Sequence, residues 1–312
     1  MKKISLLILT LWSVLCVAAQ STDYSVYDGK FNFIVCNDLG RNGYYDQKPI
    51  AELMGRMSQE GVDPEFVAAL GDIHHFNGVQ STADPLWMTN YELVYSHPEL
   101  MLDWYPILGN HEYRGNTQAC IDYSGVSRRW VMPARYYTKV FAHDGMTLRL
   151  VWIDTTPMIS KYRNLPEGYP DAARQDWHRQ QQWLDSVLTA EREDWVIVMG
   201  HHPIFADTGK ELTERTDMQQ NVDAILRKHK VDFYINGHIH NFQHIRSKGS
   251  NIDYITNSSA SLARSKVKAV EGTVFCSGEP GFSVVSATRD TLALRMIDKA
   301  GHILHEIIRT RR

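Results

Sequence analysis

Short apolar runs recur along the chain, and each ends in a polar cluster. Residues 31–36 (FNFIVC) run into Asn37-Asp38, 66–70 (FVAAL) into Gly71-Asp72, and 104–108 (WYPIL) into Gly109-Asn110-His111. Further on, 148–153 (LRLVWI) meets Asp154, 195–199 (WVIVM) meets Gly200-His201-His202, and 233–235 (FYI) meets Asn236-Gly237-His238. Short runs rich in β-branched and aromatic residues, closed by turn formers, predict buried strands. Between them, 49–58, 175–192 and 218–230 read as helices. Such alternation predicts a sheet covered by helices, with polar sites gathered beyond the carboxyl ends of the strands. Strand-like runs at 252–256, 281–286, 292–297 and 302–308 predict a second sheet in the C-terminal part. The expected fold class is α/β, two stacked mixed β-sheets flanked by helices in four layers (α/β/β/α).

Composition changes this picture mainly at the N-terminus. The chain has 312 residues, 43% hydrophobic and 22% charged, an ordinary globular make-up. Residues 1–19 (MKKISLLILTLWSVLCVAA) combine two lysines, an apolar run and Val17-Ala18-Ala19 ahead of Gln20, the pattern of a cleaved secretory signal. The run is too short to span a bilayer comfortably, and Leu15 stands where lipoprotein processing at Cys16 wants a small residue. Residues 20–312, without linker or repeat, are expected to form a single catalytic domain, exported to a periplasm or secreted, with no stable membrane insertion after cleavage. The net charge is −3, and losing Lys2 and Lys3 makes it more acidic, which argues against nucleic acid as a partner. Cys36, Cys120 and Cys276 have no short metal-binding spacing; one disulfide is compatible with them, and the pair is left open. A monomer is the default.

Taken singly, the polar clusters have ordinary explanations. An aspartate at a strand end is commonly a turn former or cap, Asn110 suits a turn, and His201 and His202 suit a buried hydrogen-bonded pair. GHIH at 237–240 is a stronger signal, since histidines two apart reach neighbouring positions. Their order carries more: NDLG (37–40), GDIHH (71–75), GNHE (109–112), GHHP (200–203) and GHIH each follow a strand-like run. Carboxylate, amide and imidazole donors without thiolate suit iron, zinc or manganese.

This series resembles the calcineurin-like metallophosphoesterases, and among them it looks most like the purple, or tartrate-resistant, acid phosphatases. GDIHHFNGVQ (71–80), SRRW (127–130) with MPARYY (132–137), QQQWL (180–184), AEREDWVIVMGHHP (190–203) and the stretch 281–304 carry the likeness, which runs from about Phe31 to the C-terminus. The resemblance implies a binuclear phosphomonoesterase acting on small phosphorylated substrates, with two transition-metal ions drawn from iron, zinc and manganese. It assigns Asp38, Asp72, His75 and His240 to one ion. Asp72, as a shared bridge, would join Asn110, His201 and His238 at the other. A bridging carboxylate holds two cations about 3.5–4 Å apart, suited to displacement at phosphorus by an acidified water.

Three departures bear on the chemistry. Purple acid phosphatases carry a tyrosine, whose phenolate gives the colour, where this chain has His75. Losing that anionic donor predicts a protein that is not purple and uses divalent metals. The adjacent His74 is expected to line the cleft or support its neighbour. His111, which the resemblance puts beside the substrate phosphate, is the first catalytic candidate, suited to protonating a leaving alkoxide. A hydrogen bond to Asp154 is another reading of it, or a supporting one. His202 replaces a tyrosine common in the animal enzymes and is the second candidate, expected on the cleft wall. Lys210 stands near where animal members carry a further histidine; phosphate contact and a solvent-facing role both fit, the second more readily. Residues 161–175 read as a surface loop beside the cleft. Two other functions remain consistent with these residues: hydrolysis of a diester, nucleotide or sugar phosphate on the same site, or a non-catalytic binding protein on the same fold. Retention of every donor and of His111 weighs against the last.

Overall fold

The computed structural model describes residues 23–190 and 192–311. The expected signal at 1–19, with Cys16, lies outside them. Strands β1 (Phe31–Cys36), β2 (Phe66–Ala69) and β3 (Asp103–Pro106) pair in parallel, with every β1 and β2 residue buried. Continuous apolar runs such as FNFIVC belong in strands covered on both faces. The second sheet is built on β4 (Tyr137–His143), β5 (Met146–Trp152), β6 (Trp195–Met199), β7 (Phe233–Asn236), β8 (Phe242–Arg246), β9 (Asp253–Thr256) and β10 (Thr273–Ser277). Its order is β10-β8-β9-β7-β6-β5-β4, with β5, β6, β7 and β9 parallel.

The C-terminal strands do not make a sheet of their own. β11 (Gly281–Ala287), β12 (Thr291–Asp298) and β13 (Ile303–Thr310) extend the first sheet in the order β13-β12-β11-β1-β2-β3, while β9 lies within the second. Burial patterns give the reason. All seven residues of β11 are buried, so it needs neighbours on both sides and pairs antiparallel with β1. β13 alternates between exposed and covered positions and takes the edge. β4, β8 and β10 were not expected from the apolar runs. β4 forms a hairpin with β5 through Asp144-Gly145, both at positive φ, as a tight two-residue turn requires.

The helices are α1 (Gln47–Met57), α2 (Thr117–Asp122), α3 (Ser160–Arg163), α4 (Trp177–Thr189), α5 (Leu212–Met218) and α6 (Ala224–Leu226). The Asp176 side chain accepts from Arg179 N at 3.0 Å, which starts α4 two residues later than the apolar pattern predicts. The helix expected at 218–230 begins earlier and ends sooner: α5 runs through a π turn at Gln219–Asp223 directly into α6. Between the sheets, Phe141 of β4 stacks on Phe66 of β2 at 4.8 Å, and Trp152 of β5 lies 5.4 Å from Tyr105 of β3. This aromatic layer locks the two sheets face to face and aligns the carboxyl ends of β1–β3 with those of β6 and β7. Cys36 and Cys120 are buried and Cys276 half-buried, all as free thiols. Among the described residues, no helix is long and apolar enough to cross a membrane.

Candidate metal centre

At the junction of the two sheets, each strand end delivers a donor. Asp38 follows β1, Asp72 and His75 follow β2, Asn110 follows β3, His201 follows β6, and His238 and His240 follow β7. Asp38 and Asp72 (both φ 53°), His238 (φ 75°) and His240 (φ 58°) occupy the left-handed region, which turns the chain sharply as it leaves its strand. Each such non-glycine residue costs about 1–3 kcal/mol, and such outliers concentrate at functional sites. The loops interlock too closely for side chains at some glycines. A Cβ on Gly109 would lie 2.2 Å from Asp72 Oδ1, and one on Gly237 2.7 Å from Asp38 Oδ2.

Asp72 sits at the centre. Its Oδ2 is 3.1 Å from His201 Nε2, 3.7 Å from His75 Nε2 and 3.9 Å from His111 Nε2. Its Oδ1 accepts from His111 N at 2.8 Å. His240 Nε2 lies 3.0 Å from Asp38 Oδ1 without the alignment of a hydrogen bond. Backbone acceptors orient two of the rings: His201 Nδ1 donates to Leu70 O at 2.8 Å and His240 Nδ1 to Leu262 O at 2.5 Å. Nε2 of each ring therefore faces the carboxylates, as a metal-ligating histidine requires. His238 is turned the other way. Its Nε2 donates to Glu214 Oε2 at 3.0 Å, leaving Nδ1 facing His201 Nε2 at 3.3 Å.

Three observations show that these donors fit metal ions. Asp38 Oδ1, Asn110 Oδ1 and both ring nitrogens of His75 are buried without a hydrogen-bond partner, an expensive arrangement for polar atoms that bind nothing. Asp38, His75 and His240 hold donor atoms within 4.8 Å of one another, as do Asp38, Asp72 and His201, and Asp72, His75 and His111. Burial opposes charge on His201, yet the fields of Asp72 and Asp38 push it up to about 9. Burial likewise opposes ionisation of Asp72, but His201 and His111 hold it well below the usual carboxylate range. The carboxylate pair thus calls for positive charge, which a proton or a cation can supply.

Around this core the structure corrects several expectations. His202 does not line the cleft: it is fully buried, with Nδ1 2.8 Å from Thr155 Oγ1 and Nε2 3.1 Å from the Tyr162 hydroxyl. With both nitrogens engaged in the interior, it packs against His238, ring centres 4.3 Å apart, and it offers a donor atom within 4.8 Å of those of His201 and His238. His74 is also buried, edge-on to Trp87 at 4.5 Å. His111 does not bond Asp154; its Nδ1 donates to Phe76 O at 2.7 Å, while Asp154 accepts from the Tyr113 hydroxyl at 2.5 Å. Lys210 is not free in solvent but partly buried, within the fields of Glu214, Asp72 and Asp38. Residues 161–175 are more than a surface loop, since they include part of α3, whose Tyr162 is buried against His202 and Glu214.

Two buried acids went unread. Glu112 accepts from Asp72 N at 2.8 Å, Gly109 N at 2.7 Å and His74 N at 3.0 Å, clasping the loops after β2 and β3 together. Its place in GNHE was the available signal. Glu214 on α5 holds His238 and also accepts from Lys161 Nζ at 2.8 Å; within LTERTDM it reads as one more solvated helix acid.

Residues 31–242 match the calcineurin-like phosphoesterase family. The chain belongs to this family. It is 32% identical over 295 residues to purple acid phosphatase 3 of Arabidopsis thaliana, covering 89% of this chain and 77% of that protein. Tartrate-resistant acid phosphatase type 5 of Sus scrofa is 30% identical over 189 residues, 59% of this chain and 55% of its own. Among solved structures, the GAP50 anchor of the Plasmodium inner membrane complex superposes with a TM-score of 0.76 at 21% identity, covering 91% of this chain and 89% of that one, a likeness of fold. This calcineurin-like phosphoesterase is thus a metal-dependent phosphoric ester hydrolase of the acid phosphatase type, and its Asp and His clusters are suited to bind metal.

Proposed function

We propose that the protein is an exported phosphomonoesterase acting on small phosphorylated substrates, with two divalent ions (iron, zinc or manganese) held side by side across Asp72. The observation that carries this reading is the convergence of buried, unpartnered donors from Asp38, His75 and Asn110 with His201, His238 and His240 about one carboxylate. His75, His240 and Asp38 would hold one ion; Asn110, His201 and His238 the other. Two such ions would supply an acidified water and neutralise phosphoryl oxygens.

The remaining work falls to the chain. His111 is the one partly exposed histidine of the cluster, and its bond to Phe76 O leaves Nε2 turned toward Asp72 and the opening. From there it donates to the phosphate or the departing alkoxide. Lys210, partly exposed beside the same acids, adds positive charge for an anionic substrate. A monoester binds through its phosphate and leaves its organic part in the open cleft.

The test is a comparison of 4-nitrophenyl phosphate with bis(4-nitrophenyl) phosphate on the metal-loaded protein, which holds the leaving phenolate constant. The proposal expects kcat/KM at least about tenfold higher for the monoester, since only its dianion uses the full charge of the centre. A preference for the diester would overturn the monoesterase reading. Mass spectrometry of the exported protein, expected to begin at Gln20, tests the export half.

A further inference from the structure

Beside the metal centre lies a cavity of about 340 Å³ lined by Arg41, Asn42, Tyr44, Tyr45, His75 and Phe76. Tyr44 is 72% exposed, Tyr45 64% and Phe76 61%, and among the described residues these are the large aromatic side chains most open to solvent. All three line this one cavity. Aromatic rings left in water cost burial free energy, and their gathering at one spot marks a place where they are covered in use. Arg41 is the opposite case: only 9% exposed, its Nε lacks a hydrogen-bond partner, and its guanidinium lies over the Phe76 ring at 4.7 Å. Among the described residues it makes no ion pair. A nearly buried, unpaired arginine facing a cavity is a ready anion contact.

The cavity adjoins the proposed reaction site. His75 lines it while facing Asp72, and Phe76 lies 5.8 Å from His111 between ring centres. A phosphate held at the centre would leave its organic part next to these rings.

Resting on the phosphomonoesterase reading, we infer that Arg41, Tyr44, Tyr45 and Phe76 form a leaving-group subsite selecting monoesters whose organic part carries a planar aromatic ring. The tyrosine and phenylalanine faces stack on that ring, as aromatic side chains do on bases. Arg41 meets the negative charge at the phosphate end. Nucleoside monophosphates and aryl phosphates share this chemistry and differ in how far the ring stands from phosphorus.

The probes are AMP, ribose 5-phosphate and phenyl phosphate, each measured with the wild type and with Tyr44→Ala/Tyr45→Ala, whose exposed positions spare the fold. AMP and ribose 5-phosphate expel the same type of primary alkoxide, so their kcat/KM ratio reports the base alone. A wild-type ratio of about ten or more, falling to near one in the variant, is expected for a distal ring. A variant that instead loses about tenfold on phenyl phosphate relative to ribose 5-phosphate assigns the subsite to aryl esters. If the variant changes neither ratio, the subsite is refuted. Should the wild type hydrolyse no monoester, the functional reading fails first. Adenosine binding by equilibrium dialysis, expected to weaken about tenfold in the variant and refuting the subsite if unchanged, then decides the cavity separately.

Discussion

At the scale of single residues, the site turns on what each imidazole does with its second nitrogen. His201 and His240 give theirs to backbone carbonyls, His238 gives its Nε2 to Glu214, and His75 gives neither to protein. His75 is therefore the position where the protein constrains its ligand least. A phenolate there would add an anionic donor, so His75→Tyr loaded with ferric iron is expected to become coloured while the parent stays colourless. A visible spectrum decides it, and an equally colourless variant would remove His75 from the metal site. Glu214 fixes which His238 nitrogen faces the centre, and supporting partners of this kind are worth 10–100-fold in metal affinity. Glu214→Gln is expected to lower affinity at the second site about tenfold, read by competition with a chelator dye. Unchanged affinity would make Glu214 structural only.

At the scale of elements, the strand-to-loop junctions explain why so much of the site was legible. Each proposed ligand sits within six residues of an apolar run, so reading the runs also located the donors. Misreadings arose where neighbours in sequence part company in space. His202 adjoins His201 but points into the interior, because successive residues leave a strand end on opposite sides. Glu214 comes from a helix with no apolar run beside it, and nothing local distinguishes it from Glu211 or Asp217. Long-range pairing was equally hidden: no local pattern in GFSVVSA says that its partner is β1, some 250 residues earlier. The far end of the second sheet carries its own charge network, where Asp253 of β9 meets His244 Nε2 at 2.8 Å, Arg246 Nε at 2.7 Å and Arg309 Nε at 2.7 Å. Burial opposes its ionisation, but these three partners hold its carboxyl below the usual range. A depressed folded pKa means stabilisation that is present above the unfolded value, about 3.9, and lost as pH falls through the folded one. Asp253→Asn should therefore cost roughly 2 kcal/mol near neutrality, less than for a fully buried pair because Arg246 remains half in water. That gap should close below about pH 4. Denaturant midpoints of the two proteins across pH test it, and a gap independent of pH would contradict the assignment.

At the scale of the whole molecule, the centre is an inter-sheet joint as well as the proposed reaction site. β1–β3 supply Asp38, Asp72, His75 and Asn110, while β6 and β7 supply His201, His238 and His240, so neither sheet holds a complete donor set. His238 N also donates to Asp38 Oδ2 at 2.8 Å, and Ser259 and Ser261 hydroxyls donate to Asp38 O at 2.9 and 2.6 Å, tying the joint from both sides. Ions bound there would link the sheets and stabilise the folded state by mass action. Whether two metal ions share Asp72 is decided by titrating metal-free protein with zinc or manganese and measuring bound metal by elemental mass spectrometry. Saturation at two ions per chain is expected, with both sites weakened by Asp72→Asn. Saturation at one ion, or none, would contradict a shared Asp72.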